Sequence, residues 1–96
     1  MSDYPAADHK KLFQAILSCQ NEKELGAFLR DVMTIKELDD IAKRWQIAQL
    51  LNSKKLSYGQ IAKKYQVSTT TVTRVAHWLK HGMSGYKLVL KRMRKK

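Results

Sequence analysis

Residues 68–78 read STTTVTRVAHW, and two kinds of chemistry are available in them. Short hydroxyls on Ser68, Thr69, Thr70, Thr71 and Thr73 can both donate and accept hydrogen bonds, and the threonine methyls add a small apolar surface. Such groups suit base edges in the major groove of duplex DNA, where a thymine methyl can also be touched. Arg74 and Trp78 stand four residues apart, so on a helix a guanidinium and an indole share one side and can stack. A run of threonines reads locally as a strand, because β-branched side chains fit a pleated surface. Yet Val72, Val75, Ala76 and Leu79 recur at i, i+3, i+4 and i+7, the stripe of a helix. The threonines then lie on its outer face, where packing gives them nothing.

The elements that would hold these groups are two short helices in residues 57–75, SYGQIAKKYQVSTTTVTRV. The first opens at Ser57, with Gln60 at the capping-box position, and turns Ile61, Ala62 and Tyr65 inward. Gln66, Val67 and Ser68 interrupt it, and Ser68 caps the second. Small Ala62 sits where the helices must cross closely, while Ile61, Tyr65, Val67, Val72 and Val75 pin the pair. This is the helix-turn-helix pattern. It departs from that pattern at Gln66, which fills the turn position most often held by glycine and is strained if left-handed. The threonines are then the start of a recognition helix, and Ser68 with the helix N-terminus suits a phosphate oxygen. Lys63 and Lys64 on the preceding helix, and Lys54 and Lys55 before it, suit backbone phosphates. The plainer alternative is an αα-hairpin with solvated threonines.

The charge distribution decides between the two. The 96-residue chain carries a net charge of +11. Residues 1–40 hold five Lys/Arg and eight Asp/Glu, a balance of −3, whereas residues 41–96 hold fourteen Lys/Arg and no acid, a balance of +14. A segment without one carboxylate has a polyanion as its natural counter-charge, and nucleic acid is the expected one.

The rest of the chain reads as short helices, with no repeat, low-complexity linker or sustained strand alternation. The first runs from about Asp8 to Cys19, with Leu12, Phe13, Ile16 and Leu17 on one face. The second begins near Asn21, capped with Glu24 three residues on, and carries Leu25, Phe28, Leu29 and Val32. The third opens at Thr34 with Glu37, carries Leu38, Ile41, Ala42, Trp45, Ala48 and Leu51, and ends by Asn52–Ser53. After a Gly82–Gly85 break, Tyr86–Met93 forms a last helix that leads into a basic tail, where Lys91, Arg92, Arg94, Lys95 and Lys96 add phosphate contacts. These elements predict an all-α chain of one domain: a helical dimerisation region (1–53), a reading head (54–82) and a C-terminal basic helix and tail (83–96).

Several function classes are excluded. No apolar run reaches 18 residues and no signal-peptide pattern opens the chain, so no membrane partner and a cytoplasmic location are expected. The single Cys19, on an apolar helix face, is expected to be a buried structural thiol. His77 and His81 have a metal-pair spacing, but no acid or cysteine lies near them in sequence to complete a site, so no metal is assigned. There is no Ser/His/Asp set and no carboxylate pair in the basic half, so the chain is read as no enzyme and as using no cofactor.

From Met33 to Lys80 the chain resembles the tryptophan repressor family. The matching features are Thr34 opening a helix, Arg44 before Trp45, the Leu50–Leu51 pair, Ser57-x-x-x-Ile61-Ala62 and Thr71-Val72-Thr73-Arg74. The resemblance implies an all-helical, intertwined homodimer with two heads that read operator DNA. The first three helices agree, since Trp45, Phe13, Phe28 and their neighbours are more apolar surface than a lone chain of this size hides. The resemblance also implies that Arg44 and Arg74, one from each subunit, flank a bound free tryptophan, with Thr34 in the same pocket. Two positions depart from the family. Val75 stands where glycine leaves room for the ligand, and Trp78 stands where a serine helps hold it.

The expectation is therefore a sequence-specific DNA-binding regulator, a repressor, acting as a homodimer on double-stranded DNA. Trp78 would fill the pocket, so that no small-molecule corepressor is needed. The alternatives are a regulator gated by another small molecule, a nonspecific nucleic-acid binder, or an adaptor resembling a sigma-factor promoter-reading head. An RNA reader of single strands is disfavoured, because the outer face of residues 68–77 has no exposed aromatic for stacking.

Overall fold

The computed structural model describes residues 3–94, and those residues form six helices and no strand. In chain order they are α1 (Ala7–Ser18), α2 (Glu22–Val32), α3 (Ile35–Ser53), α4 (Tyr58–Tyr65), α5 (Thr69–His81) and α6 (Gly85–Arg94). The fold class is all-α, as expected, and none of these helices is long and apolar enough to cross a membrane.

Local chemistry starts most of the helices. Asn21 Oδ1 accepts from the Glu24 backbone N–H at 2.9 Å, but Glu24 returns its own bond to the Gln20 N–H at 2.8 Å, one residue before the expected partner. Thr34 and Glu37 form a reciprocal capping box at 3.1 and 2.8 Å, and Ser57 and Gln60 form another at 3.1 and 2.8 Å. The break after α5 requires a glycine for closeness. Gly82 donates to the Trp78 carbonyl at 2.9 Å, and a Cβ added there would lie 2.5 Å from that oxygen.

The chain divides into two compact units, one up to Leu38 and one from Asp39 onward. In the first, neither α1 nor α2 has a single buried residue. Leu17 is 82% exposed, and Val32 and Ile35 are more than half exposed. Cys19 is half-buried rather than buried, its thiol donating to the Ala15 carbonyl at 3.8 Å. The physical reason is the same for all of them: a pair of short helices has too little surface to enclose its own apolar face.

The second unit holds every buried residue among those described. Ile47, Ala48, Ile61, Ala62, Val72 and Val75 form one cluster, with Trp45, Leu51, Leu56, Tyr65, Val67 and Tyr86 packed against it. The buried face of α3 differs from the expected stripe. Ile47 is fully enclosed, whereas Ile41 and Ala42 stay exposed, because only the C-terminal half of α3 has α4 and α5 to lean on. The ring of Tyr86 stacks on that of Trp45, centroids 6.3 Å apart and planes 14° apart, and this ties α6 to α3.

Candidate functional site

The helix-turn-helix is built as its sequence requires. Ile61 and Ala62 on α4 share one buried cluster with Val72 and Val75 on α5, and Ala76 is buried as well. Gln66 closes α4 in the left-handed region, at φ 54° and ψ 47°. This conformation lets the Val67 N–H reach the Ala62 carbonyl at 3.0 Å, the six-to-one bond of a Schellman turn. The turn geometry thus outweighs the strain of a side chain in a glycine position. Ser68 then caps α5, its Oγ accepting from the Thr71 N–H at 3.1 Å.

The threonines separate into two groups. Thr69, Thr70 and Thr73 are exposed on the outer face of α5 with His77. Thr71 is half-buried, and its hydroxyl lies 3.2 Å from Ser68 Oγ, so part of its capacity serves the cap. Ser68, Lys54, Lys55, Lys63 and Lys64 are all exposed, and Lys54 itself turns left-handed at φ 61° where α3 ends. The outer face of α5 combines exposed hydroxyls with the N-terminus of a helix, a set able to hold a phosphate oxygen and touch base edges. The exposed lysines add positive charge for further phosphates.

The opposite side of α5 is a cavity of about 350 Å³ lined by Arg44, Thr71, Arg74, Val75, Trp78 and Tyr86. Thr71, Arg74, Val75 and Trp78 reach it because i, i+3, i+4 and i+7 share one helix face. Its size is at the lower end of ordinary ligand pockets, roughly 300–1,000 Å³. Two guanidiniums and two aromatic rings make it suited to a planar or anionic group. Arg44 and Arg74, which the resemblance assigns to different subunits, line it within a single chain. Val75 is 4% exposed and belongs to the core, whereas Trp78 is 54% exposed and stands edge-on to His77, ring centroids 5.0 Å apart. Thr34 is exposed, and its hydroxyl is engaged in the α3 cap.

Sequence reasoning missed Tyr86. A lone aromatic just past a glycine break carries no periodic signal, and only the packing of α6 on α3 brings it to the cavity. His77 and His81 are near one another, centroids 5.1 Å apart, but the described residues contain no group of three metal-ligating side chains.

Residues 7–94 match the family model described as Trp repressor protein. The chain is 32% identical over 84 residues to the uncharacterized protein YerC of Bacillus subtilis strain 168, an alignment covering 88% of this chain and 80% of that protein. Among solved structures it is similar to a TrpR like protein from Eubacterium eligens ATCC 27750, with TM-score 0.86 and 36% identity over 93% of this chain and 91% of the other. It is also similar to a candidate Trp repressor from Staphylococcus aureus, with TM-score 0.84 and 31% identity over 95% and 90% of the two chains.

Proposed function

From the premise that the chain belongs to the Trp repressor protein family, whose members are helical DNA-binding regulators and not enzymes, we propose that it is a transcriptional repressor reading a specific duplex operator as a homodimer in the cytoplasm. The observation that carries this reading is the outer face of α5. Thr70 and Thr73 stand exposed beside the Ser68 cap, in a segment from residue 41 onward with fourteen basic residues and no acid. The first unit supports the homodimer. Phe13, Ile16, Leu25, Phe28 and Leu29 all remain partly exposed in it, and a second copy of the same chain is the natural cover for such a face. Footprinting of the protein across the chromosome tests the proposal: a small set of shared, pseudo-palindromic sites supports it, and uniform coverage counts against it.

Trp78 is proposed to supply the indole of the cavity in place of free tryptophan. Its position four residues beyond Arg74, on the wall that holds both arginines, supports this, and so does Val75, whose side chain occupies the core beside that wall. A specific observation also favours a second reading. The cavity stays open with Trp78 in place, so a small effector other than tryptophan has room there. Calorimetry against L-tryptophan and against planar organic acids separates the two.

A further inference from the structure

Away from the reading face, Asn52, Lys87, Lys91 and Arg94 converge with Leu90 around a recess of about 180 Å³. Lys87, Lys91 and Arg94 recur at i, i+4 and i+7, so three like charges share one face of α6. Like charges at this spacing destabilise a helix, and no acid lies between residue 41 and the chain's end to offset them. The C-terminal ends of α3 and α6 favour cations nearby, but that does not require all three to converge on one recess with a neutral amide donor between them.

Asn52 shows where the recess belongs. It also lines the cleft formed by Lys54, Ser57 and Tyr58, at the turn from α3 into the helix-turn-helix. Asn52 therefore stands between the recess on α6 and a cleft lined by Lys54, one of the lysines that precede the reading head. We propose that Asn52, Lys87, Lys91 and Arg94 form a seat for a backbone phosphate of the duplex outside the segment read by α5, so that α6 lengthens the footprint. The inference rests on the duplex-DNA reading of the head.

The test measures the full chain on mixed-sequence duplexes of about one and about three helical turns across a range of salt. The slope of log K against log salt is read rather than the affinity, because a longer duplex also offers more registers. The wild-type slope should steepen on the longer duplex, by roughly 0.9 for each phosphate gained. A Lys87→Gln, Lys91→Gln, Arg94→Gln variant should lose that steepening, by roughly 0.9 units for the one phosphate seated per chain, while its short-duplex slope stays unchanged. Arg92→Gln removes a charge from the same helix but not from the recess, and should lower the long-duplex slope less than the loss of any single seat residue does. A Lys87→Arg, Lys91→Arg chain should behave as wild type, which separates lost charge from a damaged helix. If Arg92→Gln lowers the slope as much as any seat residue does singly, the effect is diffuse charge and the seat is refuted. Wild-type slopes equal on both duplexes refute the seat while leaving the head's binding in place; no binding to either duplex overturns both.

Discussion

Trp45 and Tyr86 stack nearly parallel, 14° between planes, and this contact helps hold α6 on α3 beside the arginine cavity that Tyr86 lines. Tyr86→Leu keeps most of the apolar area but removes the ring pair. It should cost about 0.5–1.5 kcal/mol beyond the change in buried area. Urea unfolding at a fixed protein concentration measures it; an unchanged midpoint would mean that the rings merely lie near each other.

Gln66 holds a left-handed conformation for which glycine carries no penalty. A non-glycine residue there costs about 1–2 kcal/mol, and glycine gives back roughly 0.5–1 kcal/mol through greater freedom of the unfolded chain. Gln66→Gly should therefore stabilise the protein by about 0.5–1 kcal/mol, raising Tm by a few degrees for a chain of this size. Gln66→Val should do the opposite, since a β-branched side chain tolerates positive φ poorly.

What the sequence made legible here follows from the range of the forces involved. Ser57–Gln60, Thr34–Glu37 and Ser68 are caps made within three residues, and the helix-turn-helix is held by apolar positions on two adjacent helices. Both kinds of signal are local, so the pattern of residues 57–75 was enough. The enclosure of Ile47 was not legible, because it depends on which half of α3 receives α4 and α5. The partial burial of Thr71 was hidden for a related reason: the threonine run looks uniform until the helix phase sets one member against Arg44 and Val67. Tyr86 and Asn52 entered their sites only through the packing of α6.

The threonines divide by exposure, and their variants should divide likewise. Thr70→Ala and Thr73→Ala remove exposed hydroxyls without removing charge, so they should reduce preference for the cognate site and leave nonspecific binding and thermal stability nearly unchanged. Lys63→Ala should weaken all sequences about equally. Ser68→Ala should cost about 1 kcal/mol of stability through the lost cap. Competition binding with cognate and scrambled duplexes, alongside thermal melts, resolves the three patterns. Full discrimination retained by Thr70→Ala and Thr73→Ala would place the reading surface elsewhere.

Trp78 gives the sharpest test, and the structure changes how that test must be run. Val75 is buried in the core, so Val75→Gly removes packing and puts a glycine inside α5, at a cost of about 2–3 kcal/mol. Trp78, half exposed, can be changed with little damage to the fold, and Trp78→Ser is the variant to make first. An effector strengthens operator binding only by favouring the competent state over the other. If Trp78 already supplies the indole between Arg44 and Arg74, wild-type protein should bind no L-tryptophan in calorimetry and its operator affinity should not respond to it. Trp78→Ser should bind the operator roughly tenfold or more weakly, a loss of about 1.4 kcal/mol. Added tryptophan or indole acids should recover part of that loss, and the Trp78→Ser, Val75→Gly pair, stabilised where necessary by Gln66→Gly, should recover more because the glycine opens the wall. Tryptophan that tightens operator binding by the unmodified chain would refute the built-in indole outright. Trp78→Ser at wild-type affinity without ligand would show that the reading heads are held in place by the core around Ile47 and Val75 alone.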